Sequence, residues 1–429
     1  MLNKLKIASW CLFDFGTTAF MMNIVSLSFV QWLSQAHGKE NADASYGIIS
    51  AVCYVLCLVI YPFSGEMCDR GWKITPLFVL TFISVLSTAL LGVSDQLWVA
   101  GLFFILAYFT YQIGLTYYTA LLDDIATPEN YGIVSGLGVA TRYTGAIVGL
   151  LSVGFFINGS QQSMLPSWLQ FLIVEPVEQG KTAYVNAFMP TAILYGLCTL
   201  PLFCLVRTKS KVEHISKSMS AIVNTIIKGF ADIWKNKNAF WLLVTVFLVG
   251  LPVYATVHFM TIFLKEIGQM PDEQMAGFIA VATIFAVAGG LAFGISLRKL
   301  GNKLAFYIIA VLWTFIMFAG CIVSGPFYMS ILGILAGVGM GSYWAVSRII
   351  VFDIAPEGKK GEYVALLFMI MVVCGIASSL IWPLAVEVTT ALQNANILPD
   401  FIVQRSSMFI LALLTFAGLL TYRKVKFDM

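Results

Sequence analysis

Apolar runs of about twenty residues recur from one end of this chain to the other, and nothing else constrains its fold as strongly. In a bilayer core a backbone can satisfy its own hydrogen bonds only as a helix or a closed barrel. A helix needs roughly 20 apolar residues to cross. These runs, rich in Leu, Ile, Val and Phe, are too continuous for the short alternating strands of a barrel. We read twelve spans, at about 6–33, 44–66, 75–93, 97–122, 131–158, 184–206, 239–264, 275–297, 304–323, 327–351, 362–385 and 402–422. The expectation is an all-α polytopic membrane protein.

Charge supports this. Only 11% of the 429 residues are charged, against about 25% in an average soluble domain. Eight cysteines in this length argue against a disulfide scaffold. A net charge of +3 gives no reason to expect a nucleic-acid partner. Lys4 and Lys6 precede the first span as they would a signal peptide. That run continues to Leu33 and Asp14 interrupts it, so it is read as a retained helix.

Basic residues collect on one side of the spans, which orients them. Twenty of the 25 lie in the N-terminal tail, the alternate loops, the central linker and the C-terminal tail. Lys39, Lys181, Lys265 and Arg405 lie on the other side, and Arg142 lies inside a span. Both termini are therefore expected in the cytoplasm, and loop economy points to a bacterial inner membrane.

The linker at 207–238 divides the spans six and six, giving halves at 1–206 and 239–429. Within it, Ile222, Ile226, Ile227, Phe230, Ile233 and Trp234 recur at helical spacing between lysines. That pattern reads as an amphipathic helix on the inner membrane surface. The halves also echo each other. Gly65-Glu66-Met67-Cys68-Asp69-Arg70-Gly71-Trp72-Lys73 follows the second span, and a loop from Gly294 through Arg298 and Gly301 to Lys303 follows the eighth. Asp124-Ile125-Ala126 follows the fourth span and Asp353-Ile354-Ala355-Pro356 the tenth. Both echoes stand 229 positions apart. Parallel repeats of this kind are a transporter architecture.

A Gly-x-x-x-Asp-Arg-x-Gly-type loop after the second span, weakly repeated after the eighth, resembles the major facilitator superfamily. The resemblance implies two pseudo-symmetric six-helix bundles and solute transport without a cofactor. The first loop is one residue short, and Arg298 stands where the first half has Asp69. Three motifs are further similar to the Atg22-like, or vacuole effluxer, branch. They are Trp10-Cys11-Leu12-Phe13-Asp14-Phe15-Gly16-Thr17-Thr18-Ala19-Phe20, Tyr118 through Ile125 followed by Val134-Ser135-Gly136-Leu137-Gly138, and Ser347-Arg348 with Pro356 and Glu362. That branch implies export, with amino acids as its best-known cargo.

Charges at membrane depth are costly and need a reason. Asp14 and Arg142 fall roughly 12 and 16 Å into their helices at about 1.5 Å per residue. One reading has Arg142 holding a substrate carboxylate through its planar fork of donors, with Asp14 as a proton site. The other has the two forming a closed structural pair. His258 is either a proton carrier or a packed histidine. Tyr111 and Gln112 on the fourth span and Trp344 on the tenth are candidate cavity residues, with aromatic packing as the alternative. Asp69, Arg70, Asp124, Arg298, Arg348 and Asp353 are candidate gating charges. Arg70 is expected to pair with Asp123 or Asp124, and Arg298 with Asp353 or Glu357. Solvated topology signals are the alternative.

Gly180-Lys181-Thr182 resembles the end of a phosphate loop, but Glu175 stands where a glycine is needed, so ATP-driven pumping has no support. No metal site is expected from the scattered His37, His214 and His258. The expected partners are a small-molecule solute, membrane lipid and protons, acting on a monomer. A membrane-embedded transferase acting on lipid is the competing class.

Overall fold

The computed structural model describes residues 2–207, 236–270, 272–394 and 405–425. Most of the linker for which a surface helix is expected lies outside these residues. The first five helices are α1 (Asn3–His37), α2 (Lys39–Asp69), α3 (Ile74–Ala89), α4 (Leu97–Ala120) and α5 (Tyr131–Ile157). Then come α6 (Phe188–Leu205) and α7 (Lys237–Glu266). The continuous stretch Asp272–Ile322 is broken at Gly301, where φ is 73°. That left-handed turn, open to glycine without strain, separates α8 (272–300) from α9 (302–322). The last helices are α10 (Pro326–Ile354), α11 (Lys360–Asn394) and α12 (Ser406–Tyr422). Twelve long helices therefore appear among the described residues, in the expected order; α3 and α12 are shorter apolar helices and the rest are long and apolar enough to cross a membrane, α8 and α9 as one kinked stretch. Several run past their apolar stretch: α2 continues to Asp69 and α11 to Asn394. The backbone ladder does not stop where the hydrocarbon does.

α1 is not uniform. Met21–Ser28 winds as a π-helix inside it, with bonds five residues back rather than four. Phe29 N–H bonds the Ile24 carbonyl, and the return to α spacing skips Val25. The Tyr46 hydroxyl donates to the Val25 carbonyl at 2.7 Å, which satisfies the group that the change of register frees.

The chain forms two compact units. The first is Met1–Pro128 with Thr141–Glu213, and the second is Glu129–Ala140 with His214–Met429. Residues 129–140 cluster with the second unit although they precede most of the first unit's last two helices. The reason is a backbone approach. A Cβ at Gly294 would meet the Gly132 carbonyl at 2.5 Å and Gly136 Cα at 2.9 Å. A Cβ at Gly136 would meet the Gly290 carbonyl at 2.7 Å. Small residues four apart permit such contact between helices. The Ser135 hydroxyl also donates to the Ala345 carbonyl at 2.8 Å.

The core of the first unit is aromatic. Trp10 stacks on Tyr118 at 4.5 Å, and Phe13 stacks on the same ring at 4.9 Å. Trp10 Nε1 donates to the Tyr118 carbonyl at 3.1 Å, while the Tyr118 hydroxyl donates to the Trp10 carbonyl at 3.2 Å. The reciprocal bonds fix α1 against α4 at one depth. In the second unit α10 lies against α8 along Gly333, Gly337 and Gly341, and Tyr343 donates to the Val246 carbonyl of α7.

Candidate functional site

Asp14 and Arg142 form an ion pair inside the first unit. Arg142 Nε and Nη2 both donate to Asp14 Oδ1, at 3.0 and 2.8 Å. The Asp14 side chain is fully buried and that of Arg142 is 16% exposed. Their helices are brought together by small residues. A Cβ at Gly145 would meet the Phe15 carbonyl at 2.4 Å, and one at Gly149 would meet Ala19 Cβ at 2.7 Å. Asn23, in the π segment, donates to the Gly149 carbonyl at 3.1 Å and to the Thr191 hydroxyl at 3.3 Å. The α1–α5 seam thus reads Asp14–Arg142, Phe15–Gly145, Ala19–Gly149, Asn23–Gly149, one contact per turn. The backbones lie close enough for a short aspartate to reach a guanidinium. A charged fork on a largely buried side chain beside a buried carboxylate can bind an anionic group or exchange a proton, and it can also serve as a pure strut.

Tyr111 and Tyr118 lie within electrostatic range of the Arg142 guanidinium. Tyr111 is 6% exposed and packs against Phe20 and Tyr108. Tyr108 shares a hydrogen bond of 3.0 Å with Tyr54. These tyrosines form a packed aromatic layer that adjoins the ion pair. Gln112, one residue on and about 100° around the helix, is half-buried. Asn23 is the polar residue at this seam that the sequence reading missed. Its signal was an amide in the apolar run of the first span.

The loop charges pair differently from expectation. Asp124 takes Lys73, with Nζ at 2.9 Å from Oδ2, and Lys73 also donates to the Ala120 carbonyl at 3.2 Å. Arg70 instead turns back along α2 to Glu66. Arg70 ends its helix, so its side chain runs down the preceding turn. Lys73 follows the Gly71 turn, where φ is 83°, and is aimed at α4. Arg298 does not reach Asp353. It donates to the Glu129 carbonyl and to Asn130 Oδ1, because residues 129–140 dock on α8. Asp353 accepts from Asn302 instead. Residues 302 and 353 stand 229 positions after 73 and 124, so the repeat read in the loops reappears as one contact in each unit. The first copy is an ion pair and the second a neutral donor on a carboxylate. Asp69, the remaining charge of the first loop, ends α2 one residue before Arg70.

In the second unit, His258 is exposed on α7 beside Phe259. Trp344 is half-buried, edge-on to Tyr254 and Tyr343 at 5.8 Å. Arg348 is 2% exposed on α10, far too buried for a solvated topology signal. An apolar cavity of about 50 Å³ in this unit is lined by Met260, Met317, Met329, Trp382 and Met408 among others, none of them charged. It offers nothing to orient an ionic solute. Among the described residues no cluster of three His, Cys, Asp or Glu gathers as a metal site.

Comparison with known proteins places this arrangement. The family model of the Major Facilitator Superfamily matches residues 11–378. A protein of Aquifex aeolicus, itself uncharacterized, is 21% identical over 426 residues, covering 99% of this chain and 98% of its own. The E. coli fucose:proton symporter has the same fold, with a TM-score of 0.71 at 14% identity over the whole of both chains. A proton:xylose symporter aligns with a TM-score of 0.67 at 12% identity over 99% of this chain and 95% of its own. A bacterial homologue of the iron transporter ferroportin aligns at 0.69, with 12% identity over 99% of both chains.

Proposed function

The chain belongs to the Major Facilitator Superfamily, and from that premise we propose a proton-coupled secondary transporter for a small carboxylate-bearing solute, working by alternating access. The family and its structural neighbours are transporters rather than enzymes, which sets aside the lipid transferase. The observation that carries the finer reading is the Asp14–Arg142 pair. It couples a fully buried carboxylate to the guanidinium of a side chain that is 16% exposed, at membrane depth. A solute carboxylate competing for the Arg142 fork would release Asp14 Oδ1, and a proton on Asp14 would weaken its hold on Arg142. Each event favours the other, which is the reciprocity that coupled transport requires. Two of the structural neighbours are named as proton symporters, which agrees with this reading at the level of the fold.

The finer branch follows the same logic. The Trp10–Phe20 motif that resembles the vacuole effluxer branch carries Asp14 itself. Its tryptophan locks α1 to α4, which makes an amino acid the first cargo to try. Lys73–Asp124, Asn302–Asp353 and Arg298 with residues 129–130 are the proposed gating contacts. The twenty basic residues on one side support a topology with both termini in the cytoplasm, as for a bacterial inner-membrane monomer. Proteoliposome uptake across a panel of amino acids, organic acids and sugars, with and without a pH gradient, tests the proposal. Uptake of a carboxylate solute that responds to the gradient, and is lost in Arg142→Ala and in Asp14→Asn, is expected. Normal carriage by both variants refutes it.

A further inference from the structure

The segment between α5 and α6 is apolar on two faces. Leu165, Leu169, Leu172 and Ile173 turn inward and pack with Phe156 of α5. Met164, Trp168, Phe171 and Val174 turn outward and are 71, 69, 76 and 62% exposed. Ser167–Leu172 is a 3-10 helix, in which residues three apart eclipse. Trp168 therefore stands over Phe171, and Leu169 over Leu172. From Arg142 to Glu175 there is no charged residue.

Two buried side chains tie the segment's backbone down from within, while Ser163, Ser167 and Gln170 are exposed. Buried Asn186 accepts from the Val174 and Glu175 amides at 2.8 and 2.9 Å and donates to the Glu175 carbonyl at 2.7 Å. Gln162 donates to the Phe156 carbonyl at 2.7 Å and accepts from the Val177 amide at 3.1 Å. Asn158 and Thr182 close the base as an isolated antiparallel bridge. Gln35 at the end of α1 donates to the Thr182 carbonyl at 2.8 Å. A segment that ties the Val174, Glu175 and Val177 amides to buried side chains while presenting Trp, Phe, Met and Val outward suits a medium poor in hydrogen-bond partners. The outward face also continues a membrane surface, because Leu151 and Phe155 on α5 are exposed just before it.

We propose that residues 164–174 are a membrane foot. Met164, Trp168, Phe171 and Val174 seat in the headgroup–acyl boundary of the bilayer at this end of the first unit. The occupant of the apolar face is lipid, since aromatic residues favour that boundary and the two helices that bear the segment cross it. Glu175, Glu178 and Lys181 mark the side that stays in water; the Glu178 and Lys181 side chains are 77 and 72% exposed.

The test uses the full chain with the exposed Cys204 and the half-buried Cys321 replaced by Ser, the other six cysteines being buried and unreactive to the label. Single cysteines at Phe171→Cys, Trp168→Cys and Glu178→Cys carry an environment-sensitive fluorophore. The protein is reconstituted in phosphatidylethanolamine–phosphatidylglycerol vesicles. Labels at 171 and 168 are expected to be quenched several-fold more by a nitroxide near the top of the acyl chain than the label at 178, and to resist aqueous iodide. Should one of the two substitutions fail to fold, the other reads the same face. Iodide quenching at 168 and 171 equal to that at 178 overturns the proposal and assigns the face to water or to a protein partner. The readout is independent of transport, so it stands or falls apart from the cargo.

Discussion

Neutralising one member of the Asp14–Arg142 pair is the most informative perturbation of this molecule. With Asp14 fully buried and Arg142 16% exposed, solvent screens the interaction little. Removing one partner of a buried pair costs about 3–5 kcal/mol, because the other charge is left uncompensated. A neutral hydrogen bond between membrane helices averages only about 0.6 kcal/mol. The charge therefore dominates. Asp14→Asn and Arg142→Gln should each lose about 3–5 kcal/mol of stability. The double variant, with two amides in place of two charges, should recover most of that loss. Equilibrium unfolding in mixed micelles, followed by tryptophan fluorescence, measures all four corners of the cycle. Uptake by the same proteins separates the two roles of the pair. A double variant that is stable yet fails to transport assigns the pair to cargo or protons. One that is stable and active makes it a strut. Additive losses in the cycle would refute the closed pair itself.

Three further outcomes are expected. Lys73→Met should cost about 3–5 kcal/mol by removing the cation from a buried ion pair, whereas Asn302→Ala should cost only about 1 kcal/mol; thermal unfolding of the two variants compares the copies, and equal losses would sink the distinction. Gly294→Ala sets a methyl against the Gly132 carbonyl at 2.5 Å, and an overpacking cost of about 1–3 kcal/mol with slowed uptake is expected; unchanged uptake and stability would deny the close approach. Asn186→Ala strands the Val174 and Glu175 amides, at about 1–3 kcal/mol for each buried group left unsatisfied; limited proteolysis should then cut within 159–183, and unchanged resistance would count against the anchor.

Helix positions were legible because their cause is local. A run of apolar residues long enough to cross a bilayer must be a helix, so 97–122 and 131–158 were expected where Leu97–Ala120 and Tyr131–Ile157 form. The repeat was legible as a constant offset. The partners within it were not. Arg70 and Lys73 are equivalent as charges in a sequence. The end of α2 and the turn at Gly71 send one back to Glu66 and the other across to Asp124. The same holds for Arg298, whose acceptors belong to residues 129–130. Nothing in the local sequence marks those residues as its neighbours.

The order of spans, the two-fold repeat and the few charges at membrane depth follow from the sequence alone, since each is a matter of how far apolar residues run and where they are interrupted. The tertiary structure decided which of those charges meet. Contact depends on helix rotation and on how closely two backbones approach. Those were set by Gly145 and Gly149 against α1, by Gly132 and Gly136 against α8, and by the π segment that turns Asn23 toward α5.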